Sequence, residues 1–117
     1  MKKILIVDDA VFMRKALRMI LEQNGFEVVG EAGNGVEAIR MFGALSPDIV
    51  TMDITMPIMN GIDATKAIIE SDPSARIVMI SALGQEAYIK DAIISGATNF
   101  ILKPFKGDTV VRTLNAV

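Results

Sequence analysis

The sequence predicts an α/β fold with a parallel sheet covered by helices on both faces. Two observations carry this. Five short apolar runs recur along the chain, rich in Ile, Val and Leu and suited to strands covered on both sides. The stretches between them place apolar residues at helical spacing. Strands alternating with helices are joined by right-handed crossovers, so the strands run parallel.

The first strand is "KILIVD" (Lys3 to Asp8), a continuous β-branched run. From about Ala10 to Asn24, Met13, Ala16, Leu17, Ile20 and Leu21 share one helix face, and Asn24-Gly25 supplies the stop. "EVVGEA" (Glu27 to Ala32) reads as the second strand. A helix starting near Asn34 turns Ala38, Ile39 and Phe42 inward. "DIVTMD" (Asp48 to Asp53) is the third strand, followed by a helix from about Ile62 to Glu70. "ARIVMIS" (Ala75 to Ser81) is the fourth, with a helix from about Gln85 to Ser95 and Gly96 closing it. "NFILK" (Asn99 to Lys103) is the fifth, and an amphipathic helix fills the chain after Pro104.

At 117 residues the chain fits one domain, 1–117, with no linker and no output domain expected. Its 51% hydrophobic and 22% charged residues describe a globular protein and not a disordered tail. No apolar run approaches the roughly 18 residues of a membrane span, so a cytoplasmic location is expected. Cysteine and histidine are both absent, which removes disulfides, thiol nucleophiles, most zinc sites and Ser-His triads. A net charge of −2 gives no general attraction to nucleic acid or to an anionic membrane. A monomer is expected.

In sheets of this kind function collects at the carboxyl ends of the strands. Those ends carry Asp8 and Asp9, Asp53 with Thr55 beyond it, Ser81, and Lys103. Taken singly, each has a plain structural reading: a helix cap, an Asx turn, a satisfied hydroxyl, a solvated lysine. Taken together they form a chemically complementary set brought to one face. Three converging carboxylates repel unless a cation intervenes. An all-oxygen cluster suits a hard cation, Mg²⁺ with retained waters, which in such sites organises a phosphoryl group. No G-x-x-x-x-G-K-[ST] or G-x-G-x-x-G pattern occurs, so a nucleotide site is disfavoured. Asp carboxylates accept phosphoryl groups as acyl phosphates, and Asp53 lies at the middle strand end.

The acidic pair after "KILIV", the stretch "DITMPIMNG", the "SA" after the fourth strand and the "KPF" after the fifth resemble the receiver domain of two-component response regulators. "AGNGVEA" (Ala32 to Ala38) fits as well, and the match spans the whole chain. The resemblance implies a flavodoxin-like (βα)5 three-layer sandwich with a five-stranded parallel sheet in the order 2-1-3-4-5. It implies that Asp53 takes a phosphoryl group from a histidine kinase, the chain promoting its own phosphorylation and dephosphorylation while acting mainly as a switch. Mg²⁺ would be held by Asp9, Asp53 and the Thr55 backbone carbonyl, with Asp8 reaching it through water. The Thr55 side chain would modulate water access, and Lys103 would pair with Asp53. The Lys103-Pro104 bond is a candidate cis peptide. Ser81 and Phe100 would form the switch, although Phe100 also reads as ordinary core. Tyr88, Phe100 and Lys106 would lie on the partner surface.

Likeness to stand-alone chemotaxis regulators points to a flagellar motor switch protein or a phosphatase as partner. Two alternatives stay open: a phosphorelay intermediate serving a histidine phosphotransferase, and a receiver belonging to a DNA-binding regulator. A phosphatase of the haloacid dehalogenase kind needs a second acid two residues after the nucleophile, where Thr55 stands. Two local expectations complete the reading. Leu83 would shield the acyl phosphate from water, and Met56 and Met59, in the turn beside the site, would contact a partner. Most of the eight methionines read as core filler.

Overall fold

Each apolar run becomes a strand of a single sheet in the computed structural model, which describes residues 1–82 and 86–117. In chain order the elements are β1 (Lys3–Val7), α1 (Val11–Gln23), β2 (Glu27–Ala32), α2 (Gly35–Leu45), β3 (Ile49–Asp53), α3 (Gly61–Ser71) and β4 (Ile77–Ser81). A 3-10 turn over Glu86–Tyr88 then leads into α4 (Ile89–Ile94), β5 (Asn99–Leu102) and α5 (Gly107–Asn115). The strands pair in parallel in the order β2-β1-β3-β4-β5. The expected fold class and order are therefore those observed. The fourth helix is shorter than its apolar pattern suggests, because its described beginning is wound as a 3-10 turn.

Strand alternation divides the interior in two. Ile4, Ile6, Ile49, Val78, Ile80 and Ile101 face α1 and α5, where Leu17, Leu21, Val110 and Leu114 meet them. Leu5, Val7, Val50, Met52, Ile77 and Met79 face the other way, onto Ala38 of α2, Ala64 and Ile68 of α3 and Ala92 of α4. Each side chain of this size removed wholly from water contributes about 1.5–3 kcal/mol of transfer free energy.

Two helices announce their starts through side chains. The Asn34 side chain accepts the Glu37 N–H (2.9 Å), and the Glu37 carboxylate accepts the Gly33 N–H (3.1 Å). The Asn60 side chain likewise accepts the Asp63 N–H (2.9 Å). By contrast α1 begins at Ala10 without a side-chain cap.

Register brings the functional strand ends level. Val7 pairs Met52, Asp53 pairs Ile80, and Ser81 pairs Leu102, so the residues that follow lie along one edge of the sheet. The turn after β3 is folded tightly against that edge. The Gly61 N–H donates to the Ile54 carbonyl (2.7 Å), and a Cβ at Gly61 would lie 1.9 Å from the Asp53 carbonyl oxygen. Only glycine lets α3 start this close to the acceptor strand. In the same turn Ile58 is held at φ +69° and is almost fully exposed, a left-handed conformation unfavourable for a β-branched side chain.

Candidate phosphoryl-acceptor site

The carboxylates of Asp8, Asp9 and Asp53 converge at the sheet edge, each offering an oxygen within 4.8 Å of the others. Their environments differ. Asp8 and Asp53 are buried, at 1% and 5% exposure, whereas Asp9 is exposed. Asp8 is fixed by its surroundings: its N–H donates to the Ala32 carbonyl (3.0 Å), and its Oδ1 accepts the Ala10 N–H (2.9 Å).

Lys103 reaches this cluster from the end of β5. Its Nζ donates to Asp8 Oδ2 (3.2 Å) and to Asp53 Oδ1 (3.3 Å). The pairing with Asp53 was expected from the resemblance; the second bond, to Asp8, was not. The lysine is aimed by the chain itself. Its N–H donates to the Ser81 carbonyl (2.7 Å), and the Lys103-Pro104 bond is cis as expected.

One ammonium cannot neutralise three carboxylates. Burial and the charge of Asp8 push the Asp53 carboxyl up to about 6, against which Lys103 pulls it down and Asp9 adds a further push. Burial works against the Lys103 ammonium, but Asp53 and Asp8 outweigh it and raise its pKa. The donor set is all oxygen, anionic, deficient in positive charge and partly open to water at Asp9. Such a set fits Mg²⁺ and excludes the soft ligands zinc prefers.

The other predicted residues fall around this centre. Thr55 is exposed in the turn beyond Asp53. Ser81 is buried at the end of β4, where its hydroxyl donates to the Ala82 carbonyl (3.4 Å). Phe100 is 38% exposed and turned away from the core, so the core reading of this aromatic is overturned. Strand alternation explains it: Ile101, its neighbour, takes the inward position against Val110 and Leu114. Phe100 instead borders a groove of about 260 Å³ with Ala92, Ile93 and Thr98. Lys106 is exposed at the start of α5.

Tyr88 is 47% exposed and lines a pocket of about 270 Å³ with Thr55, Met56 and Asn60. It thus faces the turn after β3 as well as the surface around α4. Met56 corrects another expectation. It is buried with Ile54 and Ile62 and offers no partner contact, because the turn closes back over the edge of the core. Met59 is half-buried against the same cluster. Leu83, expected to shield the site, lies outside the described residues.

Arg14 went unnoticed in the sequence. It lies in the first turns of α1, and its Nη1 donates to the Asp8 carbonyl (2.6 Å). An arginine near the start of a helix looks like any solvated charge, so no local signal reveals this bond.

Comparison with known proteins was consistent. Residues 4–115 match the model of the response regulator receiver domain. The chain is 56% identical over 116 residues to the chemotaxis protein CheY of Thermotoga maritima, covering 99% of this chain and 97% of that one. It is 55% identical over 113 residues to CheY of Bacillus subtilis, covering 97% and 94%. Among solved structures, one from Borrelia burgdorferi in which CheY is complexed with CheX, BeF3 and magnesium superposes with a TM-score of 0.93 at 43% identity, covering 98% of this chain and 87% of that one.

Proposed function

The chain belongs to the family of response regulator receiver domains, of the CheY-like chemotaxis kind, and we propose that Asp53 is its phosphoryl acceptor. A chemotaxis-type histidine kinase supplies the group from a phosphohistidine. An Asp53 oxygen attacks phosphorus, the O–P bond forms, the P–N bond breaks, and its electron pair returns to the imidazole, which takes up a proton. Asp8, Asp9, Asp53 and the Thr55 backbone carbonyl would hold Mg²⁺, which when bound neutralises charge on the phosphoryl oxygens. Asp53 lies largely ionised at neutral pH, as a nucleophile must, with a pKa of about 6. Lys103 holds Asp53 in place and then follows the phosphoryl oxygens. Ser81 and Phe100 form the switch, and the surface of Tyr88, Phe100 and Lys106 meets a flagellar motor switch protein or a phosphatase. The Borrelia CheY, solved in a complex with CheX, supports a protein as the partner.

The observation that carries this reading is the meeting of Lys103 with both Asp8 and Asp53 beside Asp9, from three separate strand ends. The test is incubation with acetyl phosphate and Mg²⁺ followed by intact-protein mass measurement. Wild type gains one phosphoryl group, EDTA prevents it, and Asp53→Asn takes none. Equal labelling of Asp53→Asn would sink the assignment.

A further inference from the structure

We infer that Arg14 is a positioning residue for the acidic turn, holding the Asp8 carbonyl so that Asp8 and Asp9 stay turned toward Asp53. One guanidinium spans two elements. Its Nη1 donates to the Asp8 carbonyl (2.6 Å), while its Nε donates to Glu31 Oε1 on β2 (3.1 Å). The other oxygen of Glu31 accepts Arg18 Nε (2.7 Å), so the carboxylate is anchored from both sides. Burial raises the Glu31 pKa, but the bonds from Arg18 and Arg14 outweigh it and leave it lowered.

An exposed Arg–Glu pair by itself contributes about 0–1 kcal/mol and needs no functional account. This one differs in where it ends. The chain of bonds terminates on the backbone of a carboxylate residue in the site, at the turn entering a helix that has no side-chain cap and no acidic residue in its first turn. At the start of α1 the Ala10 carbonyl accepts the Met13 and Arg14 N–H groups and the Ala10 N–H donates to the Asp8 side chain, while the Arg14 fork ties the Asp8 carbonyl itself to β2. A planar fork satisfies a carbonyl and a carboxylate at once; a lysine ammonium is a point charge without that geometry.

The proposal rests on the Mg²⁺ reading of the acidic cluster, and its sign separates it from simple electrostatics. Deleting a cation bonded to the backbone of the acidic turn strengthens Mg²⁺ binding if charge alone matters. Loss of positioning weakens it, by about tenfold for a residue that orients a ligand. The experiment is calorimetric Mg²⁺ titration of wild type, Arg14→Ala and Arg14→Lys, with amide NMR spectra recorded before metal is added. Weaker binding in both variants is expected, with the Asp9 and Ala10 amide signals displaced in the metal-free spectra. Mg²⁺ binding as tight as or tighter than wild type in either variant overturns the proposal, as do unmoved amide signals. If Arg14→Ala does not fold, Arg14→Lys, which keeps the charge, decides alone. Failure of wild type to accept a phosphoryl group defeats the acceptor reading and leaves the Mg²⁺ comparison standing; wild type that binds no Mg²⁺ defeats both.

Discussion

The functional edge of the sheet has two halves in different states of readiness. On the side of β1 and β3, Asp8 and Asp53 are buried and already held by Lys103, which reaches across from the end of β5. On the side of β4 and β5, the one bond of the Ser81 hydroxyl among the described residues goes to its neighbour's carbonyl, and Phe100 points outward. The charged half is built in advance because carboxylates and an ammonium hold one another across a poorly solvated site. The hydroxyl and the aromatic have no such pull toward Asp53. A phosphoryl group would supply it, biasing an equilibrium between two arrangements of the second half while the first stays fixed.

The strongest way to break this contrast is to remove the cation. Lys103→Met leaves Asp8 and Asp53 facing each other without compensation, and breaking such a pair costs about 2–4 kcal/mol at pH 7.5. The cost shrinks toward pH 5. Without the lysine the Asp53 pKa rises beyond about 6, so the carboxyl takes a proton as the pH falls and the repulsion is relieved. Chemical denaturation in EDTA at the two pH values measures it. An equal cost at both would show that the lysine acts through packing and not through charge.

Asp53→Asn has the opposite sign. The folded-state pKa of about 6 lies above the ordinary 3.8, so the folded protein binds protons more readily than the unfolded chain. The ionised form is therefore penalised in the fold. In wild type without metal, stability rises as the pH falls from about 7 toward 4. Asp53→Asn removes that slope and stabilises the metal-free protein by about 1–2 kcal/mol at pH 7.5, with little gain at pH 4.5. Melting curves in EDTA across this range check it. Mg²⁺ stabilises wild type more than the variant, because a cation bound only to the folded state adds its binding free energy to stability.

The charged half was the more legible of the two in the sequence. Asp8, Asp9, Asp53 and Lys103 each follow a run of apolar residues, and parallel strands with level ends must bring such residues together. Which acid of the adjacent pair is buried was not legible, because that depends on the twist of the turn after Val7. The bond from Arg14 and the second bond of Lys103 were hidden for the same reason, being set by tertiary placement of long side chains. Met56 misled because a residue in a polar turn looks solvated, yet this turn folds back over Ile62. Phe100 left two readings, surface switch or core, because an aromatic in an apolar run suits either; strand alternation decides for the surface, since Ile101 takes the place facing α5.

Thr51 sharpens where the polar region stops. It lies two residues before Asp53 on the same face of β3, fully buried, and its hydroxyl has no hydrogen-bond partner among the described residues. A buried unsatisfied hydroxyl costs free energy that a methyl of the same shape does not. Thr51→Val therefore raises stability by about 1 kcal/mol, read from the denaturation midpoint at unchanged slope. A loss of stability would mean that the hydroxyl is satisfied, and that the polar site extends one layer deeper beneath Asp53.

The smallest effect on stability is expected at Ser81, and that is what makes it informative. Among the described residues its one bond, to the Ala82 carbonyl, is long at 3.4 Å, and it holds no oxygen of the acidic cluster. Ser81→Ala therefore changes stability by no more than about 0.5 kcal/mol, since a weak local bond and a small polar atom are lost together. The same substitution removes the hydroxyl that would meet the phosphoryl group in the second arrangement. Its signature is an amide NMR spectrum that matches wild type away from residue 81 before acetyl phosphate is added, and differs around Phe100 afterwards. A large loss of stability in the unphosphorylated protein would place Ser81 in the fixed half, and the division between the two halves would have to be redrawn.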